Sequence, residues 1–518
     1  MRSLGPYSRI SPPLFKKTLA RINAMTAYPP VWTLFLWKYS PLADWSDPFD
    51  EQDPETRENV ERFEQTLSSS FSWFFDSEEL EQIFDYYLER GHMDKAEQVL
   101  TKGLEQSPNH AGFMLRKAQM MMGSGEIRQA EELLDKALRI NPTLVELHLT
   151  RSSLYDYRNQ TNRALLHLRK AEQLADAEQM PSVQLAFGMV FMNAGRWRSA
   201  LDHFLLCVQK EQVDQEHLLY DLGYCYHQLE LMDDGIAFFE EQINQNPFSD
   251  AAWYNQGILY NQAGLFEKAL DAFEYALLIR PDLSMAHFNR ANTFINLEKY
   301  PEALEQMQEA IHCEPDYPLF VNGLGVCYEK LNRIDEALAR YEAAAVLDPL
   351  LADAWFGQAA CKAQSESWSA ALVLINRALE LAADHEEYWY EKGRILMALA
   401  RYDEAEQVLA EALRLDEGFW EARILLVSLF LAVDRYEDAL RCIQDGQEPH
   451  KDDAAYFFEL AGLIFAFEIK ELLDLAHTCL QWALSVDPSE SHHLLTFWPD
   501  AHNNSEVVAL LREYKALD

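Results

Sequence analysis

From Ser77 onward, apolar residues recur at helical spacing in pairs of short blocks. The clearest unit is residues 250–283, DAAWYNQGILYNQAGLFEKALDAFEYALLIRPDL. Trp253, Gly257 and Tyr260 lie four and three residues apart, which puts them on one face of a helix. Gly264 ends that helix. Ala269, Leu270, Phe273, Ala276 and Leu277 then mark a second helical face, which Pro281 stops because its ring clashes with continued helix. The pattern predicts helix, turn, helix, turn.

Sliding by 34 residues recovers the same marks. Prolines fall at 108, 142, 247, 281, 315 and 349, and second-helix alanines at 96, 130, 164, 200, 269, 303, 337, 371, 405 and 439, with Gly235 standing in once. A bulky residue precedes many of these alanines by three: Trp197, Phe266, Tyr300, Trp368, Tyr402 and Tyr436. A small residue lets two helices approach closely, and a large one fills the gap beside it.

These marked positions, Trp253-x3-Gly257-x2-Tyr260, Ala269, Phe273, Ala276 and Pro281, resemble the tetratricopeptide-repeat (TPR) signature. Eleven units fit in phase between Ser77 and Asp453, with short insertions near Gln179 and Gln215, and a twelfth (Ala476, Leu480, Ala483, Pro488) sits about three residues late. The resemblance implies an all-α, right-handed superhelical solenoid of about twelve helix pairs over residues 77–490. Each unit alone leaves an apolar face wet, so stability comes from stacking, and the ends must be covered. Phe71–Phe75 is expected to roof the first pair, and the tail from Ser491 (491–518), with its Val507-Val508-x-Leu510-Leu511 run, to close the last.

Within each first helix, repeat positions 2, 5, 9 and 12 form a stripe apart from the packing face at 4, 7, 8 and 11. In TPR proteins that stripe lines the concave groove, so the resemblance implies a peptide-binding surface there. Position 5 reads Tyr220, Tyr254, Phe288, Asn322, Phe356 and Tyr390 in successive units. Beside them stand Asn255, Asn261, Asn289 and Asn292, whose amides both donate and accept. Rings with amide forks suit an extended segment laid along a groove, and Tyr254 and Phe288 are expected to stand clear of the core. The family's carboxylate clamp for chaperone tails needs Lys at position 5 and Asn at 9, followed by Asn and basic residues in the next two repeats. Phe288, Asn292, Gly323 and Asp353 do not supply that set.

Charge narrows the partners. The chain of 518 residues carries 44 Lys plus Arg against 84 Asp plus Glu, a net charge of −40. Such a chain repels phosphate backbones and anionic lipid, which disfavours nucleic acid and leaves other proteins, basic ones especially. Seven cysteines with no C-x-x-C pair give neither a disulfide framework nor a zinc spacing, and predict buried apolar residues in a reducing compartment. No apolar run is long enough for a membrane span, Val31–Trp37 being the nearest, and the chain is expected in the cytoplasm.

Catalytic motifs are missing. There is no H-E-x-x-H, phosphate loop or G-x-S-x-G; His385-Glu386-Glu387 lacks a second histidine, and His492, His493 and His502 read as a polar cap. The expectation is a non-enzymatic scaffold without cofactor or metal that binds an extended or helical peptide. The alternative is a structural or regulatory subunit of a larger assembly that uses its acidic convex face. Residues 1–24 are basic and free of acids, which suggests translation from Met25; residues 25–76 read as an aromatic and acidic extension, with Asp44–Glu64 a solvated linker.

Overall fold

The computed structural model describes residues 54–68, 73–210, 213–447, 450–467, 469 and 472–514. The basic segment 1–24, the Met25 start, the Val31–Trp37 run, Phe71 and the side chain of His502 lie outside those residues. The described residues are helical throughout, with no strand among them. Twelve helix pairs follow one another, from Ser77–Glu89 with Met93–Gln106 to Ala454–Phe467 with Leu473–Val486. The chain divides into two compact units at Pro281/Asp282, and each unit contains six of the pairs.

The repeat marks do the packing work expected of them. The second-helix alanines from Ala96 to Ala439 have no exposed surface. The glycine at position 8 of the first helix meets the large residue sixteen further on. A Cβ on Gly257 would lie 2.7 Å from the Phe273 ring, one on Gly188 2.3 Å from Phe204, and one on Gly325 2.7 Å from Tyr341. These rings occupy the space that a side chain at position 8 would need, so each pair closes tightly. Six of the seven cysteines are buried and Cys313 is half-buried, and none is in a disulfide.

Each turn between paired helices also has a fixed demand. In the first eleven pairs one turn residue adopts a left-handed conformation: glycine at 91, 125, 195 and 264, but Asn159, Glu230, Glu298, Asn332, Glu366, Ala400 and Asp434 elsewhere. Glycine is the residue that meets this demand without a Cβ penalty. Gly264 thus ends its helix as the sequence indicates, while seven turns reach the same geometry without the signal.

Position 4 has a second role beside packing. Trp253 Nε1 donates to the Pro247 carbonyl at 3.0 Å, Trp355 to Pro349 at 3.1 Å and Trp389 to Ala383 at 2.8 Å. His148 Nε2 reaches the Pro142 carbonyl at 3.0 Å, and Arg423 Nη2 donates to the Glu417 carbonyl at 3.3 Å. In every case the acceptor is six residues earlier, just beyond the preceding helix, where carbonyls lack intrahelical partners.

The ends are closed differently. Residues Pro54–Ser68 form a helix, which corrects the reading of Asp44–Glu64 as a solvated linker from residue 54 onward. Val60 and Phe63 are buried beside Phe75 and Tyr87, and Arg62 pairs with Glu79 at 2.9 Å. The acids around them face outward, which hid the apolar spacing. Phe75 is buried in the apolar cluster of the first pair, and Phe74 is exposed. At the other end the chain runs through short turns of helix, Pro488–His493, Leu494–Phe497, Pro499–Asn503 and Ser505–Glu513. Leu494, Phe497, Ala501, Val507 and Leu511 join the apolar core of the last pairs.

Candidate functional site

The stripe at positions 2, 5, 9 and 12 is where sequence and structure part. Tyr254, Asn255, Phe288, Asn289, Asn292, Asn322, Phe356 and Tyr390 are all buried. Tyr254 packs against Phe273 and Tyr220, Phe288 against Phe320, Phe356 in a stack with Tyr388, and Tyr390 against Phe419. Asn255 bonds to the Ala251 carbonyl at 2.8 Å and fits against Gly223, where a Cβ would lie 2.1 Å from its Oδ1. The expectation that Tyr254 and Phe288 stand clear of the core is therefore corrected. Successive first helices approach so closely over small residues that position 5 falls between them.

Tyr220 and Asn261 are half-buried. Tyr220 is tied down, since its hydroxyl accepts from Arg280, which also pairs with Asp250. Asn261 is different. Its Oδ1 has no hydrogen-bond partner, and neither do Gln262 Oε1 and His227 Nδ1, from the same level of the neighbouring first helix. Gln262 Nε2 spans the two helices by donating to the His227 carbonyl at 3.3 Å. Burial pushes the His227 imidazole below its usual range, so the ring is neutral at pH 7. Two amide oxygens and a ring nitrogen, on two first helices linked by that bond, thus have bonds still to make. His227 and Gln262 escaped the sequence reading; recurrence of polar residues at positions 12 and 13 was the available signal.

In the second unit Asn322 Oδ1 likewise has no partner. Farther along, the stripe is charged. Glu329 accepts from Tyr341 at 2.7 Å, Asp353 accepts from Tyr388, and Glu391 holds Arg394 through two bonds of 2.8 and 2.9 Å. Burial raises the Glu329 and Asp353 carboxyls above the usual carboxylate range, and the tyrosine hydroxyls work against that shift. These acids are satisfied internally.

The twelfth pair shows what this face can hold. A Cβ on Gly462, at position 9, would lie 2.5 Å from the Leu494 carbonyl of the tail. His493 meets Glu459 at 3.0 Å, and Trp498 stacks on Phe465 with ring centroids 4.7 Å apart. A segment of short helical turns therefore lies along the first helix of that pair, held by a glycine notch, one polar pair and one ring stack. Among the described residues, no group of three or more His, Cys, Asp or Glu side chains is placed to hold a metal ion, and no helix is long and apolar enough to cross a membrane.

Comparison with known proteins follows this architecture. Tetratricopeptide-repeat families match residues 87–150 and 396–461, residues 240–284, 288–350 and 362–418, and residues 216–248, together more than half of the chain. The TPR repeat-containing protein MJ1428 of Methanocaldococcus jannaschii is 23% identical over 163 residues, which is 32% of this chain and 28% of that protein. The chain thus spans less than a third of the length of that curated relative. Among solved structures, a tetratricopeptide repeat protein from Parabacteroides merdae is similar over 48% of this chain and 98% of its own, at 17% identity and a TM-score of 0.40. YrrB, described as a TPR protein with an unusual peptide-binding site, is similar over 36% of this chain and 95% of its own, at 21% identity and a TM-score of 0.29. The repeated helix pairs and the family matches lead to one conclusion: the chain belongs to the tetratricopeptide-repeat superfamily.

Proposed function

We propose that this protein is an interaction scaffold that holds an extended or helical segment of another protein along the inner stripe of its first helices. TPR proteins generally mediate protein–protein interactions; the choice of surface is the present reading. The observation that carries it is the cluster of Asn261 Oδ1, Gln262 Oε1 and His227 Nδ1 without partners. Shielded polar atoms that lack bonds cost stability, and natural structures seldom keep them without a use. Small side-chain rotations would turn the two amides toward the N–H groups of an incoming backbone. The tail lying on Gly462 and Glu459 supports the reading, because it is chain held on the same face of another pair.

Affinity purification of the tagged full-length protein, wild type beside Asn261→Ala/Gln262→Ala, tests this. A stoichiometric partner lost from the double variant at unchanged melting temperature is the expected result. Full recovery of that partner by the variant would move the binding surface elsewhere.

A further inference from the structure

The turn before the twelfth pair and the turn after it border an open pocket that the repeat signature does not explain. His450, Asp452, Asp453, Ala454, Val486, Asp487 and Glu490 line it. Four carboxylates stand around it, and two of them are fixed by the backbone. Asp453 accepts from the Tyr456 N–H at 3.3 Å, and Asp487 Oδ1 accepts from both the N–H and the hydroxyl of Ser489. The Ser489 bonds hold the Asp487 carboxyl below its usual range, so it is charged at neutral pH. Ala454 and Val486 add apolar surface between the acids.

His450 separates this pocket from an ordinary acidic patch. It is only 5% exposed, packs on the Tyr456 ring at 4.6 Å, and its Nε2 has no hydrogen-bond partner. Burial first and the neighbouring Arg423 second push its imidazole below the usual range, so it is neutral at pH 7. In the tautomer with the proton on Nδ1, Nε2 is an acceptor without a partner on a residue that lines the pocket. Arg423 Nη2 donates to the Glu417 carbonyl, and its Nε is without a partner.

We infer that this pocket receives a lysine side chain of a protein partner, with the ammonium among Asp452, Asp487 and Glu490, its stem along Val486 and Ala454, and His450 as the inner wall. An ammonium brings three donors and no acceptor, which suits a ring of carboxylates with one neutral imidazole. The net charge of −40 adds long-range attraction for such a partner but does not choose the site. The inference rests on the protein-binding reading and concerns a different surface, so the two fail separately.

The test uses the full chain with 13C-labelled histidine and two probes, Nα-acetyl-lysine amide and Nα-acetyl-norleucine amide. Norleucine keeps the stem without the ammonium. The His450 ring signal, assigned through His450→Gln, should shift saturably with the lysine probe and stay in place with norleucine. Asp452→Asn/Glu490→Gln should raise the half-saturating concentration about fivefold or more, whereas Glu302→Gln/Glu305→Gln, on exposed helix surface, should leave it unchanged. A second readout, melting temperature, confirms that each variant is folded. Equal shifts with both probes, equal shifts at every histidine, or equal losses in the two double variants would each overturn the site.

Discussion

Two regions of this molecule obey the same repeat with different strictness. In the pair Asp250–Gln262 and Phe266–Ile279 every signature residue is in place, and the result is closed: Gly257 sits on Phe273, Trp253 bonds to Pro247, and Tyr254 fills the space between first helices. In the pairs from Trp420 to Val486 the signature slips. Arg423 stands at the position that tryptophan holds at 253, 355 and 389, the tail crosses Gly462, and Arg423 Nε, His450 Nε2 and Tyr456 Oη are shielded yet without partners. Strict repeats bury their conspicuous residues at the helix crossing, and unpaired polar atoms collect at the end of the first helix, as at Asn261 and Gln262, and where the repeat departs from itself. In the regular pairs, a ring at position 5 is part of the stack and not a sign of a ligand.

The first way to break that comparison is Phe288→Ala. If the ring is core, urea denaturation should show a loss of about 3–5 kcal/mol, as for other buried phenylalanines. An unchanged curve would return the ring to the groove. Second is Asp221, whose carboxyl sits at the repeat position that Asn255 occupies one unit later. Burial holds Asp221 up at about 7, against ~3.9 in an unfolded chain. The folded state therefore keeps a proton that the unfolded state releases, and the wild type loses stability as pH rises from about 4 to about 7, with no further loss above. Asp221→Asn should be more stable than wild type by about 2–4 kcal/mol at pH 8 and by little at pH 4. A gain independent of pH would mean that the carboxyl is not the cause.

Three smaller changes sharpen the account. Gly257→Ala adds a Cβ 2.7 Å from the Phe273 ring and should cost about 1–3 kcal/mol, while Gly264→Ala tests the turn instead of the crossing. Ala400→Gly should act in the other direction. Ala400 holds the left-handed turn conformation that glycine holds at 264, so relieving its Cβ should add about 0.5–1.5 kcal/mol. A destabilised Ala400→Gly would show that chain entropy outweighs the strain in these turns.

The fold was legible because each mark has one physical meaning. Ala269 and its equivalents report a crossing, Pro281 a stop, Gly264 a reversal, and a 34-residue period fixes them in register. The helix Pro54–Ser68 was not legible, since Val60 and Phe63 are two apolar residues among many acids and their partner Phe75 lies beyond a break. For the site, sequence spacing puts the stripe along the first helices, but spacing gives a direction and no distance. How closely neighbouring helices approach decides whether Tyr254 faces a groove or a neighbour, and that depends on small residues such as Gly223, in another repeat. Asn261 was found because it lies at the open end of the helix. Gln262 and His227 were missed because an amide and an imidazole alone carry no signature, and His450 because its setting is built from two turns nearly forty residues apart in the chain.

The measurement that bears most directly on the scaffold reading is site-specific photocrosslinking in cells. One benzophenone residue replaces Gln262, which adjoins the inner stripe beside Asn261, and in a second protein it replaces Glu274, exposed on the paired second helix. The account predicts one crosslinked partner at position 262, competed by excess uncrosslinked protein, and none at position 274. A partner captured from position 274 and not from 262 would contradict it.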